Sequence, residues 1–261
     1  FLSIIVSLMD GRDSAFVPLL ISFIVTLLTG AFPFIFVRKQ QALTLNDGFI
    51  TIVLAWLLSF VFGMLPSVLW GGEFTLINAW FESVSGFTTT GATILANVEE
   101  LPKSLLFWRS STHFIGGLGV VVFLMLMIPV SSPMRLRLAN MELSSLSKES
   151  YQSRANKTVH IFTSVYIALV VLGFVLYVIG GMSPFDAINH SFSVCATGGF
   201  STRNASIGYW NSTYINIVST ILMFLSSLHF AILFFCVVNR SLKPLRNPVL
   251  KYYAILTLAS T

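Results

Sequence analysis

Two short stretches of this 261-residue chain hold residue types suited to meeting a bare cation: Thr88-Thr89-Thr90-Gly91-Ala92-Thr93 and Ala196-Thr197-Gly198-Gly199-Phe200-Ser201. Glycine permits the backbone angles that let successive carbonyl oxygens point one way, and threonine hydroxyls add oxygens without adding charge. A row of such oxygens can replace the hydration shell of a desolvated cation, as in filters built of backbone carbonyls. One isolated stretch reads as a tight turn or a close helix contact. Two in matching positions point to cation chemistry.

Other chemistry is poorly supplied. There is no HExxH, GxSxG or paired-Asp motif of the kind a membrane-embedded enzyme needs. His113, His160, His190 and His229 are dispersed without ligand spacing, and Cys195 and Cys236 lie in separate apolar segments, so these residues read as structural and no transition-metal site is expected. Ile115-Gly116-Gly117-Leu118-Gly119 lacks the preceding strand and following Lys-Ser/Thr of a nucleotide loop; it reads as small residues that let helices approach. No organic cofactor is implied. Arg109, near the end of an apolar run, should face the protein interior, with Glu82 as its expected partner.

The elements that must position the two stretches are membrane helices. The chain is 55% hydrophobic and 10% charged, with a mean hydropathy of +0.84, where soluble domains carry roughly 25% charged residues. Five apolar runs, 16–37, 48–70, 105–130, 159–179 and 213–238, are each long enough to span a bilayer. Two shorter Ser/Thr/Gly-rich segments, 75–95 and 183–201, are too polar to face lipid. Residues 1–9 read as the end of a helix already under way and 252–261 open a further apolar segment, so the chain reads as a fragment of something longer.

Threading the five runs alternately puts Arg38, Lys39, Arg135, Arg137, Lys148, Arg154, Lys157, Arg240, Lys243, Arg246 and Lys251 on one side, which is 11 of the 15 Lys and Arg. That bias makes this the cytoplasmic side. It also requires each short segment to leave and re-enter at the outer face, because an extra crossing would scatter the positive charge. Single basic residues between apolar runs are explained by topology, so nucleic acid is not a partner; the lipid bilayer is.

The short segments superpose with a shift of 108 residues, which pairs Ala79, Ser83, Ser85, Thr89 and Gly91 with Ala187, Ser191, Ser193, Thr197 and Gly199 as identities. Each is expected to open on a capping residue, Asn78 or Asp186, run two or three helical turns, and return as extended chain. Bare backbone at membrane depth is tolerated only where it is buried in protein or lines an aqueous cavity. The preceding helix aims its partial negative end there. The fold class is thus all-α membrane protein, with tandem helix, re-entrant pore loop and helix units as in the potassium-channel-like pore fold. The expected divisions are 1–47, preceding helices; 48–130, first unit; 131–157, cytoplasmic link; 158–240, second unit; and 241–261, start of a further unit. The rival readings are a solute or sodium-coupled carrier with broken helices and a structural membrane subunit. A carrier usually carries an inverted repeat, whereas these units run parallel.

Phe81-Glu82-Ser83-Val84-Ser85-Gly86-Phe87-Thr88-Thr89-Thr90-Gly91-Ala92-Thr93, Trp108-Arg109-Ser110 and Ala196-Thr197-Gly198-Gly199-Phe200-Ser201-Thr202 together resemble the Trk/Ktr/HKT superfamily of potassium transporters, most closely its TrkH-type membrane subunit. The resemblance implies four helix-loop-helix units around one pore, of which two are visible, and potassium as the ion carried. Gly91 and Gly199 would be filter glycines, and Thr89, Thr90, Ala196, Thr197 and Gly198 would contribute to the potassium-binding filter. Thr88, Ala92, Thr93, Phe200, Ser201, Glu82 and Arg109 would support it. Serine at the first filter glycine goes with sodium permeation in the family, so Gly91 favours potassium. The resemblance further implies a homodimer, a cytoplasmic nucleotide-binding regulatory subunit and the bacterial cytoplasmic (inner) membrane.

Overall fold

A computed structural model describes residues 1–36, 45–126, 149–228 and 248–260. Among these the chain is helical, with no strand: α1 Leu2–Met9, α2 Phe16–Phe36, α3 Leu45–Trp70, α4 Leu76–Phe87, α5 Lys103–Leu126, α6 Glu149–Ile179, α7 Pro184–Cys195, α8 Thr213–Ser226 and α9 Pro248–Ser260. Three of them are apolar over lengths that cross a membrane, at Phe16–Pro33, Ile50–Trp70 and His160–Ile179. Their outward faces, with Leu28, Ile35, Val53 and Val171 all more than half exposed, form an apolar surface that suits lipid. Helix α5 is long enough to span as well, and it turns its polar residues inward: Arg109, Ser110, Thr112 and His113 are all buried.

The two short helices, α4 and α7, stand between long ones. Helix α4 packs on α3 and α5, and α7 packs on α6, α5 and α8. Both are 12 residues long. Their N-caps correct the sequence reading: the cap is Thr75 in the first unit and Ser183 in the second, each accepting the backbone N–H three residues on, from Asn78 and Asp186. A hydroxyl at the cap satisfies one of the N–H groups the first turn leaves free. The expected caps, Asn78 and Asp186, sit one turn inside, and Pro184 occupies the first helical position, where a missing N–H costs nothing.

Two other boundaries differ from the apolar runs. Helix α6 is described from Glu149, well before residue 159, so the expected 131–157 link ends in helix. Helix α8 ends at Ser226, inside the apolar run 213–238, with Ser227 as its C-cap. The basic residues 38, 39, 135, 137, 148, 240, 243 and 246, which set the orientation, lie outside the described residues, as does Cys236.

The glycine run in α5 is a packing surface. A Cβ on Gly116 would stand 2.0 Å from the Phe87 carbonyl oxygen at the end of α4, and one on Gly117 would stand 2.8 Å from the Tyr166 hydroxyl. Gly116→Ala is therefore expected to destabilise the protein by roughly 1–3 kcal/mol, the usual cost of overpacking. Thermal unfolding in detergent checks this, with Gly30→Ala as the matched control because nothing lies within 4 Å of its added Cβ.

Candidate functional site

After α4 and after α7 the chain turns sharply and retraces the helix it has just left. In the first unit Ser85 Oγ donates to the Ala92 carbonyl at 2.6 Å, and one turn nearer the helix start Glu82 Oε1 accepts from Thr93 Oγ1 at 2.5 Å and the Ile94 N–H at 2.8 Å. In the second unit Ser193 Oγ accepts the Gly199 N–H at 2.9 Å, His190 Nε2 meets Ser201 Oγ at 3.0 Å, and Asp186 Oδ1 accepts from Thr202 Oγ1 at 2.6 Å. Each contact pair steps toward the helix N-terminus as the chain advances. This is the geometry of a loop that goes in and comes back.

The 108-residue register extends beyond the identities visible in the sequence. The caps obey it (183 − 75 = 108), as do the short 3-10 turns that close the units, Val98–Glu100 and Ser206–Trp210 (206 − 98 = 108). So do the backbone angles. Thr89 and Thr197 match closely, with φ of 55° and 54°, whereas Gly91 and Gly199 share only the positive sign, with φ of 74° and 146°. A β-branched residue with positive φ is an outlier, and two at equivalent positions mean that the turn geometry is imposed. It is held by the Thr90 N–H to Ser85 carbonyl bond at 2.9 Å and the Gly198 N–H to Ser193 carbonyl bond at 2.8 Å. Strain of this kind is stored where surrounding contacts over-determine the backbone.

The two return stretches meet. A Cβ on Gly91 would lie 2.8 Å from the Gly198 carbonyl oxygen and 2.9 Å from Gly199 Cα. Among the described residues, no hydrogen bond ends on the carbonyl oxygens of Thr88, Thr89, Thr90 and Gly91, nor on those of Ala196, Thr197, Gly198 and Gly199. Buried carbonyls are ordinarily paired. Of the eight residues in these two equivalent runs only Ala196 is buried, while Thr88, Thr90, Thr197 and Gly199 are exposed, so most of the unpartnered carbonyls belong to residues open to the space beside the stretches.

Behind the first stretch lies a buried ion pair. Arg109 Nε donates to Glu82 Oε2 at 3.1 Å and Nη2 donates to Thr93 Oγ1 at 3.1 Å, with both charged residues 4% exposed. The partner expected for Arg109 is the one it has. The guanidinium also lies over the Phe200 ring, 4.1 Å from its centroid, and His113 stacks on Phe200 at 4.2 Å. Phe200, from the second unit, is thus clasped by two side chains of α5. His113 is also why residue 198 is glycine: an added Cβ would come within 2.3 Å of its Nδ1.

The outer loops are braced to one another. Asn204 Oδ1 accepts the Val98 N–H at 2.8 Å, and its Nδ2 donates to Asn97 Oδ1 at 2.6 Å. Arg203 reaches Glu99 and Asp186. Among the described residues no His, Cys, Asp and Glu group could hold a metal ion. Sequence reasoning passed over His113 and His190 as structural. The signal that could have found His190 is the repeat itself, which sets it opposite Glu82 (190 − 82 = 108).

Tandem units of long helix, short helix, extended return and long helix, carried among lipid-facing spans, define an all-α membrane protein with the potassium-channel-like pore fold. A family model described as TrkH, a cation transport protein, matches residues 17–256, and the chain belongs to that family. It is 34% identical over 245 residues to the Trk system potassium uptake protein TrkH of Vibrio parahaemolyticus, covering 93% of this chain and 49% of that one. It is 34% identical over 260 residues to the Trk system potassium uptake protein TrkG of Escherichia coli K12, covering 97% and 53%. The crystal structure of the potassium transporter TrkH from Vibrio parahaemolyticus superposes with a TM-score of 0.81 at 30% identity, over 99% of this chain and 53% of that one. The chain therefore spans about half the length of these relatives. It is a membrane protein of a transport family and not an enzyme.

Proposed function

We propose that the chain supplies half of a potassium uptake pathway across the cytoplasmic membrane of a bacterium. Carbonyl oxygens of Thr89, Thr90, Gly91, Ala196, Thr197, Gly198 and Gly199 replace the hydration water of potassium, the cargo. The observation that carries this reading is the meeting of two repeat-related return stretches, each with positive-φ Thr and Gly and each with a run of unpartnered carbonyls. Unpaired carbonyls are costly when they face protein or lipid and useful when they face a cation. The C-terminal ends of α4 and α7, at Phe87 and Cys195, precede the strands and add a favourable partial negative charge. The names borne by the relatives, potassium uptake proteins, support potassium as the ion.

In this reading residues 48–130 and 158–240 are two pore units, 131–157 is their link, 1–47 precedes them and 241–261 opens another. Two units enclose half an ion, so the working pore needs two more. A homodimer and a cytoplasmic nucleotide-binding regulatory subunit complete the proposed assembly. The test is ion uptake by the protein expressed from its complete gene in cells lacking other potassium uptake. Gly199→Ser, at φ 146° where a side chain is strained, is expected to lower the preference for potassium over sodium by about tenfold, the equivalent of a strain near 1.4 kcal/mol. An unaltered preference at normal membrane abundance refutes the filter assignment.

A further inference from the structure

The two return stretches are tied to their short helices at the same register positions but by different chemistry. In the first unit the tie is Glu82 to Thr93, and its charge is matched by Arg109. Adding 108 to 82 and 93 gives 190 and 201, the positions of His190 and Ser201, whose side chains meet at 3.0 Å. The register position of Arg109 is not repeated as an arginine in the second unit. Adding 108 to 109 gives Ile217, which is 55% exposed on the apolar surface. The arginine that does reach this unit, Arg203, already faces Asp186 and Glu99, so a carboxylate at 190 would add a second buried negative charge beside Asp186 with no cation of its own, which is unfavourable. An imidazole gives the same acceptor without the charge.

The hydrogen bonds fix which nitrogen does what. His190 Nδ1 lies 2.8 Å from the Asp186 backbone carbonyl, which can only accept, so Nδ1 carries the proton. Nε2 is left with its lone pair and accepts from Ser201 Oγ. The serine oxygen in turn accepts the Arg203 N–H at 2.9 Å. The ring is 2% exposed and held edge-on by Trp210, with centroids 5.0 Å apart, and by Tyr177. Every polar atom of the tie is satisfied by a neutral histidine, and the imidazole has no freedom to turn away.

We infer that His190 is the positioning residue of the second ion-facing strand, holding residues 196–199 in register through Ser201 as the uncharged counterpart of the Glu82–Thr93 tie. This rests on the filter reading above. In the protein expressed from its complete gene, Ser201→Ala and His190→Leu are each expected to lower potassium-over-sodium selectivity by about fivefold, the size of one lost buried hydrogen bond. The double variant is expected to lose no more than the worse single one, because one contact is removed in all three. His190→Gln keeps an acceptor within reach of Ser201 and is expected to stay within about twofold of the parent.

Wild-type selectivity in Ser201→Ala, or additive losses in the double variant, overturns the inference. Should His190→Leu fail to reach the membrane, His190→Ala takes its place in the cycle, because Ser201→Ala by itself also frees the Arg203 N–H. Gly199→Ser separates the two levels of the claim. If it shifts selectivity while Ser201→Ala and His190→Leu do not, only the role of His190 falls; if none of the three shifts it, the filter reading falls.

Discussion

Gly91→Ser is expected to lower potassium uptake by about ten- to a hundredfold, with loss of preference over sodium, and to do more damage than Gly199→Ser. Two independent costs act at this position. Its φ of 74° lies in the left-handed region, where an L side chain costs about 1–2 kcal/mol, and the new Cβ would press on the Gly198 carbonyl oxygen and Gly199 Cα of the other strand. Those neighbours are backbone, and they cannot rotate out of the way. At Gly199 only the first cost applies, because the nearest atom to its added Cβ is Gly91 Cα at 3.8 Å. The order of damage, Gly91→Ser worse than Gly199→Ser, is thus a property of how the strands meet. Uptake and competition measurements on the two variants at matched abundance read it directly, and equal losses would mean that the close approach of the strands has no bearing on transport.

Much of this arrangement is legible in the sequence because its causes are local. Spans follow from apolar length, the re-entrant segments follow from Ser, Thr and Gly where lipid-facing residues would otherwise stand, and the repeat follows from five identities. The features that escaped are set by tertiary contact. Thr75 and Ser183 displaced Asn78 and Asp186 as caps because the helices begin one turn earlier than the side-chain chemistry of Asn and Asp suggests. Phe200 is expected to support the second stretch only through the family resemblance, and its place between Arg109 and His113 comes from the fold. Helix α8 ends inside an apolar run, where composition gives no stop signal and Ser226-Ser227 gives a weak one. The pairing of Arg109 with Glu82 was within reach, since a guanidinium inside a span demands a carboxylate and both residues were expected near the outer face.

That pair carries the second large prediction. The Glu82 carboxylate accepts from Arg109 Nε, Thr93 Oγ1 and the Ile94 N–H, so it joins a spanning helix, a short helix and the strand that follows. Glu82→Arg places two guanidinium groups in one buried space and leaves the Ile94 N–H without an acceptor. Breaking a buried pair by removing one partner costs about 3–5 kcal/mol, enough to reduce assembled protein and uptake together. Exchanging the charges, Glu82→Arg with Arg109→Glu, restores the attraction. It does not restore the acceptor for Ile94 or Thr93, because arginine has no lone pair to offer. Recovery is therefore expected to be partial: membrane abundance returns toward the parent level, while selectivity, which depends on where Thr93 and Ile94 hold the strand, returns less. Abundance in the membrane fraction and potassium-over-sodium uptake, measured on the single and double variants, separate these effects. If the double variant is as poorly assembled as the single one, the charge pair is not what holds α5 to the first short helix.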